Sequence, residues 1–276
     1  MEMDRLGEVL REYERLGIRQ QINYEKFYLY SIITHSTAIE GSTVTEIENQ
    51  LLFDEGIAAA KPMPEQLMNL DLKHAYESAF SLAERHEEIT PQILCELSGL
   101  LMKNTGSVYN TIAGTFSSVD GDLRLLNVSA GRGGKSYTAW QKVPGRLAEF
   151  CSWLNENRTE LGSTDPTCVY LFSFEAHYRL VSIHPWADGN GRMSRLVMNL
   201  LQHEAGLVPS IVKKEKRAAY IQSLAASQES GDKGAFLQFM LEHHIDNIRT
   251  QIREYKASTG EEVWNDFSLQ AFRTIK

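Results

Sequence analysis

The stretch "HPWADGNGRMSR", residues 184–195, concentrates side chains that can move protons and bind anions. Pro185 disfavours helical geometry at His184, so the preceding helix must end about there and present the imidazole at its end. The two glycines that follow tolerate positive φ and allow close approach to the backbone. A glycine-rich turn that leads into a helix start is typical of an anion site, and this one suits a polyphosphate.

Each charged residue of this loop has a chemical role that its type allows. Arg192 and Arg195 lie three apart and would add positive charge to neighbouring helical positions. Asp188 supplies a hard oxygen ligand, and Mg²⁺ bound to phosphate needs only one or two protein carboxylates. His184 is the natural general base, because the ordinary pKa of histidine lies near operating pH. Together these groups describe transfer of a phosphate-containing group to a hydroxyl.

Taken singly, the same residues also have ordinary structural interpretations. His184 could be a buried, hydrogen-bonded histidine, and the two arginines could belong to a solvated helix face. "DGNG" also occurs in calcium loops, but the matching register would place Trp186 and Val197 at ligand positions, where neither can bind calcium. The joint order of the residues is what favours the anion site.

Helical periodicity on both sides of the loop predicts an all-α fold. The apolar residues of "YEKFYLYSIITHSTAIEG" recur at three-to-four spacing and stop at Gly41. Thr43 with Glu46 fits a capping box for the next helix, and Thr90 caps a helix that starts near Pro91. Further helices are predicted over residues 64–86, 146–155, 166–183, 192–206, 214–227 and 234–256.

Residues 113–140 break the helical pattern and hold most of the local glycine and serine. Within them "LRLLNV" and "KSYTAW" flank "SAGRGG", which predicts a β-hairpin with a mobile tip. The chain is thus divided into N-terminal helices over 1–62, a core over 63–255 that contains this insertion, and a polar tail over 256–276. The tail either is a plain C-terminus or leads to a further domain.

Composition limits the classes of function. The chain has 276 residues and a formal net charge of −8, so no basic excess favours nucleic acid or a membrane surface. No apolar run is long enough to span a bilayer, and the charged start is no signal peptide. Cys95, Cys151 and Cys168 lack metal-ligand spacing and indicate free buried thiols in a reducing compartment. We therefore expect a cytoplasmic protein.

Residues 184–195 resemble the motif of the Fic family, H-P-F-x-D/E-G-N-G/K-R-x-x-R, with Trp186 as the one departure. The resemblance covers roughly residues 25 to 250 and implies a Fic-type helical bundle that transfers AMP from ATP to a side-chain hydroxyl of a target protein. It implies that His184 deprotonates the hydroxyl, Asp188 holds Mg²⁺ and Arg195 takes the γ-phosphate. The other nucleotide contacts that it implies are Gly189, Asn190, Gly191 and Arg192, with Tyr220 at the adenine.

The resemblance leaves the donor and two assignments open. A relative with lysine in place of Gly191 transfers phosphate, against which Gly191 argues, and a rare relative transfers phosphocholine. Tyr220 could instead belong to a helical core face. In this family a flap beside the active site holds the target by strand addition, although an ordinary surface hairpin is the alternative here. The flap residues so implied are Leu125, Leu126, Asn127, Val128, Ser136, Tyr137 and Thr138.

"STAIEG", residues 36–41, is similar to the family's inhibitory motif S/T-x-x-x-E-G/N, at Ser36, Glu40 and Gly41. The resemblance implies an inhibitory helix over about residues 24–41 whose Glu40 pairs with Arg195 and occupies the space of the γ-phosphate. Such a protein would inhibit itself and need no separate antitoxin. In some relatives the same glutamate serves removal of AMP, and a homodimer or a non-catalytic interaction protein also stays open.

Overall fold

The computed structural model describes residues 2–20, 24–130, 136–158 and 165–260. Over these ranges ten α-helices accompany one two-stranded antiparallel hairpin, which confirms the predicted all-α fold with a single hairpin. No helix within them is both long and apolar enough to cross a bilayer. The helices are α1 (Glu2–Arg15), α2 (Tyr24–Ile39), α3 (Glu46–Glu55), α4 (Met63–Glu84), α5 (Pro91–Met102), α6 (Val143–Arg158), α7 (Pro166–Ile183), α8 (Asn190–Glu204), α9 (Arg217–Ser230) and α10 (Gly234–Thr259).

Helix α8 is the core helix of the bundle, and α4 and α7 pack along it. Every residue from Arg192 to Gln202 is buried, polar and apolar faces alike. A helix buried on all sides must satisfy its polar groups internally. The charged residues at its start, Arg192 and Arg195, are therefore held inside the protein rather than on its surface.

A buried polar network fixes the turn that follows α2. Nδ2 of Asn69, on α4, donates to Oγ of Ser42 at 3.2 Å and to the Glu65 carbonyl at 2.7 Å. Oδ1 of Asn69 accepts from Nδ2 of Asn49 at 3.0 Å and lies 2.8 Å from the Thr37 hydroxyl. The network joins α2, α3 and α4, and it holds residues 40–45 in one conformation.

The predicted start of α3 was wrong by two residues. The capping box is formed by Thr45 and Glu48: Oγ1 of Thr45 accepts from the Glu48 backbone at 3.3 Å, and Oε2 of Glu48 accepts from the Thr45 backbone at 2.8 Å. Thr43 instead donates its hydroxyl to Glu65 at 2.8 Å. Both threonines have a glutamate three positions later, so the pattern alone does not distinguish them.

The hairpin lies upstream of its predicted position. Strand β1 (Val108–Thr111) pairs with β2 (Gly114–Ser117), whereas "LRLLNV" and "KSYTAW" form no regular strands in their described residues. A bridge between Ser129 and Ser136 and the bond from the Tyr137 N–H to the Val128 carbonyl at 3.1 Å bring them together, with a further bond from the Trp140 N–H to Oδ1 of Asn127 at 3.0 Å. Residues 131–135, the predicted mobile tip, lie outside the described residues.

The three cysteines are free thiols, but their burial differs from the prediction. Cys151 is buried in the core, Cys95 is half-buried, and Cys168 is exposed. The prediction of a buried thiol was wrong for Cys168 because the first turn of α7 reaches the surface.

We expect Asn69→Leu to lower the free energy of unfolding by about 2–4 kcal/mol, because the apolar side chain leaves several buried polar partners unpaired. Urea-induced unfolding measures the change. Asn157→Leu is the control, since Asn157 is exposed and donates only to the Trp153 carbonyl, and we expect it to cost within about 0.5 kcal/mol. Equal costs for the two variants would contradict the proposed importance of the network.

Candidate active site

The loop between α7 and α8 is fixed at both ends. His184 ends α7 in a left-handed conformation, φ 56° and ψ 62°, and its N–H donates to the Leu180 carbonyl at 3.1 Å. Trp186 is fully buried and donates its indole N–H to the Gly121 carbonyl at 3.1 Å, so its ring anchors the loop in the core. Asn190 clamps the Trp186 backbone, accepting from its N–H at 3.0 Å and donating to its carbonyl at 2.8 Å.

A side chain at either of two loop glycines would require the end of a neighbouring side chain to shift. A Cβ at Gly189, whose φ is +78°, would lie 2.9 Å from Cδ2 of Leu101. A Cβ at Gly191 would lie 2.9 Å from Oε1 of Glu40 and 3.2 Å from Nη1 of Arg195. A larger residue at 191 would therefore displace Glu40, Arg195 or both.

Arg192 is a buried cation that lacks a close anion. Its nearest carboxylate oxygen, Oδ2 of Asp188, is 3.9 Å from Nη2, and the same Nη2 lies 3.2 Å from the sulfur of Met102. Nε and Nη1 have no hydrogen-bond partner among the residues that the structure describes. Burial lowers the pKa of Arg192, against the opposing effect of Asp188. Buried polar groups are normally paired, so this guanidinium indicates a place for an anion.

Arg195 meets the end of the predicted inhibitory helix. Its Nη2 donates to Oε1 of Glu40 at 2.7 Å and to the Ser36 carbonyl at 3.0 Å, and its Nε donates to Oγ of Ser36 at 2.8 Å. Arg195 is 3 % exposed, whereas the Glu40 side chain is 36 % exposed. Gly41, the last residue of the motif, has φ +107° and turns the chain away. Two residues of the predicted motif, Ser36 and Glu40, thus contact Arg195 directly.

The charges of this pair stabilise one another. Burial would raise the pKa of Glu40, but Arg195, with Arg192 and Arg217, lowers it overall. Burial would lower the pKa of Arg195, yet Tyr220 and Glu40 raise it. The pair is therefore charged at neutral pH. Its contribution to stability is complete above the ordinary pKa of a glutamate and is lost as the pH falls through the lowered pKa of Glu40.

His184 is held as a neutral imidazole under an aromatic ring. The Tyr137 ring stacks on it with centroids 3.9 Å apart and planes at 17°. Burial, together with the charge of Arg124, lowers the pKa of His184 to about 4 against the opposing effects of the Val181 carbonyl and Asp188. At neutral pH the ring is unprotonated, which is the form that a general base requires.

Arg124 is a positioning residue that the sequence did not reveal. It is 1 % exposed, and its Nε donates to the His184 carbonyl at 2.7 Å. Its remaining nitrogens donate to the carbonyls of Leu126, at 2.6 Å, and Thr138. These carbonyls would otherwise be available to a strand ladder, which accounts for the irregular conformation of the predicted flap. A single arginine in a loop belongs to no motif that could have identified it.

One cavity of about 210 Å³ brings together His184, Glu40, Arg195, Tyr220 and residues 188–191, whereas Arg192, Ser36 and Gly41 do not line it. Tyr137 is the flap residue that lines it, and the backbone of Leu125–Val128 continues from Arg124 beside it. Asp188 faces the cavity with a side chain that is 64 % exposed. Arg217, Ile221 and Leu224 also line it, and the sequence did not single them out.

The comparisons with known proteins agree with this geometry. Residues 88–202 match the family model described as "Fic/DOC family". The chain therefore carries a Fic/DOC family domain. Its Fic fold superposes on a fragment of Fic-1 from Caenorhabditis elegans with a TM-score of 0.72 at 24 % identity, covering 93 % of this chain and 73 % of that one.

Curated relatives of this Fic protein are named as adenylyltransferases. The chain is 28 % identical to protein adenylyltransferase fic-1 of Caenorhabditis briggsae over 86 % of its own length and 43 % of the relative's. It is 31 % identical to protein adenylyltransferase Fic of Drosophila grimshawi over 75 % of its own length and 40 % of the relative's. The chain thus spans less than half the length of these relatives.

A metal in the Fic site would depend on the substrate. The described ranges contain no group of three or more His, Cys, Asp or Glu side chains placed to hold a metal ion. Asp188 offers one accessible carboxylate, whose Oδ1 already accepts from the Gly189 N–H at 2.6 Å. One carboxylate fits Mg²⁺ that arrives with phosphate oxygens and keeps several waters, and it does not fit a resident metal.

A larger cavity, of about 420 Å³, lies between α2, α4 and α8 and shares no lining residue with the Fic site. Its charged groups are paired with one another, as in Lys26 with Asp54 at 2.7 Å and Lys73 with Glu77 at 2.5 Å. We therefore place the chemistry in the smaller cavity.

We expect the imidazole of His184 to titrate near pH 4 and not near its ordinary value of about 6.5. Its neutral form stabilises the fold fully above the ordinary pKa, and this contribution is lost as the pH falls from there through 4. Tyr137→Ala should raise the pKa of His184 by admitting water, whereas Tyr137→Phe keeps the stacked ring and should leave it unchanged. Histidine NMR titration measures all three values, and a parent value near 6.5 would contradict the desolvated base.

Proposed function

We propose that this protein is a self-inhibited protein adenylyltransferase, which transfers AMP from ATP to a Ser, Thr or Tyr hydroxyl of a target protein. The observation that carries the proposal is the 2.7 Å pair of Glu40 with Arg195, next to Gly191 and in the same cavity as His184 and Asp188. A base, an anion loop and a phosphate-binding arginine are together, and an internal carboxylate occupies the arginine.

The transfer needs one proton acceptor and one electrophile. Neutral His184 takes the proton of the target hydroxyl, whose oxygen attacks the α-phosphorus of ATP. The bond from that phosphorus to the bridging oxygen breaks, and pyrophosphate leaves while AMP stays on the target. The left-handed geometry of His184 and the Tyr137 stack orient the imidazole for this role.

The phosphates would lie at the start of α8. The backbone N–H groups of its first turn and the two unpartnered nitrogens of Arg192 supply positive potential there. The side-chain amide of Asn190 is engaged with the Trp186 backbone. Asn190 would therefore contact a phosphate through its backbone N–H. Mg²⁺ held by Asp188 would neutralise charge on the α- and β-phosphates when nucleotide is bound.

Glu40 would act as the inhibitor because it takes the place of a phosphate oxygen on Arg195. A carboxylate and a phosphate compete for the same planar donor fork. Arg195 keeps its bonds to Ser36 and Tyr220 when Glu40 leaves, so the arginine stays in position for the γ-phosphate. Inhibition thus requires displacement of one side chain and no rebuilding of the site.

The geometry favours AMP as the transferred group over phosphate. The relatives that transfer phosphate have a lysine at position 191, where a Cβ in this chain would require the Glu40 or Arg195 side chain to shift. A phosphocholine donor, or removal of AMP from a modified target, would use the same base and anion loop. The position of the label in the donor separates these reactions.

The target would bind along the flap, by strand addition to the backbone groups of Leu125–Val128 and Ser136–Thr138 other than the Leu126 and Thr138 carbonyls, which accept from Arg124. Support comes from the antiparallel approach of these segments at Val128 and Tyr137, beside His184. A bound target backbone would place its hydroxyl next to the imidazole that Tyr137 covers.

We expect Glu40→Gly to raise incorporation of label from α-labelled ATP by tenfold or more, into the protein itself or a lysate protein. The reason is that Arg195 becomes available to the γ-phosphate, and a hydrogen bond between charged groups contributes about 1.5–3 kcal/mol. Glu40→Gly/His184→Ala should abolish the label without unfolding the protein. Glu40→Gly/Asp188→Ala should weaken the Mg²⁺-dependent incorporation of label.

Glu40→Gln is the matched control, since it keeps the size of the side chain and a weaker hydrogen bond to Arg195. We expect label between those of the parent and of Glu40→Gly. Unchanged label in Glu40→Gly, with ATP shown to bind productively in the parent, would contradict the inhibition. Label from γ-labelled ATP and none from α-labelled ATP would contradict AMP as the transferred group.

A further inference from the structure

Arg195 is the first member of a buried hydrogen-bonded chain that runs away from the cavity. Its Nη1 donates to the Tyr220 hydroxyl at 3.3 Å, and that hydroxyl lies 2.9 Å from Nε2 of His177. Arg195, Tyr220 and His177 are 3 %, 1 % and 0 % exposed. The chain joins α8, α9 and α7, and His177 has no part in the chemistry proposed above.

The direction of each bond in this chain follows from the groups involved. A guanidinium can only donate, so the Tyr220 oxygen accepts from Arg195. The hydroxyl hydrogen of Tyr220 is then available to Nε2 of His177, and this donation requires Nε2 to be the unprotonated nitrogen. In this arrangement His177 is a neutral imidazole with its proton on Nδ1. Burial, together with the charge of Arg195, lowers the pKa of His177 well below its ordinary value, which agrees with a neutral ring.

This tautomer of His177 has an energetic cost that an apolar side chain at the same position would avoid. Nδ1 of His177 is buried and has no hydrogen-bond partner within the described residues. The imidazole stacks on Phe236 with centroids 4.9 Å apart, a contact that an apolar side chain could also make. An unpaired buried N–H destabilises the fold. The bond from Tyr220 to Nε2 is the interaction that distinguishes histidine from an apolar residue here.

We propose that Tyr220 and His177 are positioning residues for Arg195, which fix the Nη1 side of its guanidinium while Ser36 fixes the Nε side. The guanidinium held on both sides presents Nη2 to whichever anion faces it, the Glu40 carboxylate or the terminal phosphate of ATP. This inference rests on the proposed function and deepens it. It assigns the hydroxyl of Tyr220 to the phosphate end of the nucleotide site.

The assignment differs from an adenine contact in a way that can be measured. Because the Tyr220 hydroxyl lies under Arg195, its removal should affect a ligand with a terminal phosphate and spare one without it. The next residue, Ile221, is 46 % exposed and lines the same cavity, so an apolar surface for a base is supplied beside Tyr220. Tyr220→Phe keeps the aromatic ring and removes only the hydroxyl.

The test measures the affinities of ATP with Mg²⁺ and of AMP for Glu40→Gly protein by calorimetry. We expect added Tyr220→Phe to weaken ATP binding about fivefold to tenfold, as loss of one ordinary hydrogen bond does, and to leave AMP binding unchanged. Added His177→Leu should give a smaller loss of the same kind. His177→Gln, whose amide oxygen can accept near the position of Nε2, should restore ATP binding. Arg195→Ala gives the largest expected loss.

Tyr170→Phe in the same Glu40→Gly protein is the matched control. Tyr170 is fully buried, and its hydroxyl donates to the Val208 carbonyl at 2.7 Å, away from Arg195. It should change neither affinity. Equal losses of ATP and AMP binding in Tyr220→Phe, or no loss of either, would overturn the positioning role.

Transfer from α-labelled ATP, measured on the same proteins, separates this inference from the proposed function. An ATP-specific loss in a Glu40→Gly protein that transfers nothing would support the inference and overturn the adenylyltransferase. Transfer without an ATP-specific loss would overturn the inference alone. ATP binding that survives Arg195→Ala unchanged would overturn both.

Discussion

The guanidinium of Arg195 is a buried charge with 3 % exposure, and side chains from two neighbouring helical regions satisfy it inside the protein. A buried cation without partners is costly, whereas one with several hydrogen bonds and a carboxylate is stable. The partners come from α2, through Ser36 and Glu40, and from α9, through Tyr220. Arg195 itself cannot move outward, because α8 is buried along its length. The partners of Arg195 therefore reach it from neighbouring elements. Of Ser36, Glu40 and Tyr220, Glu40 is the charged one and is also the most exposed.

The partners of Arg195 differ in burial, which distinguishes those that can hold it permanently from the one that an anion could replace. Ser36 and Tyr220 are neutral and buried, so they hold the guanidinium whether or not an anion is present. Glu40 is 36 % exposed and stands at the cavity, where a phosphate would compete with it. The base is built on the same plan: Arg124 fixes the end of α7 and the flap through backbone carbonyls, and Tyr137 excludes water from His184. Preorganisation of both groups lowers what must be rearranged when substrate binds.

The sequence was most informative where several residues of suitable chemistry follow one another in a fixed order. The anion site at the loop from His184 to Arg195 was predicted from the order of its residues, whereas the contact of Glu40 with Arg195 was implied by the resemblance to the inhibitory motif. The start of α3 was misplaced because Thr43 and Thr45 fit the same capping rule, and three-dimensional contact with Glu65 decided between them. Strands were misplaced at the flap because the carbonyls there bind Arg124. No sequence pattern indicated a role for His177, because its hydrogen-bond partner, Tyr220, lies on α9 and meets it only in the folded protein.

The central claim is that Glu40 and the terminal phosphate of ATP use the same face of Arg195. The most direct measurement is a pair of crystal structures, of the parent and of Glu40→Gly, each soaked with a non-hydrolysable ATP analogue and Mg²⁺. The account predicts that the γ-phosphate lies on Arg195 only in Glu40→Gly, with the α-phosphate beside His184, and that Glu40 keeps its contact with Arg195 in the parent. A γ-phosphate on Arg195 in the parent with the Glu40 contact intact, or away from Arg195 in both structures, would contradict it.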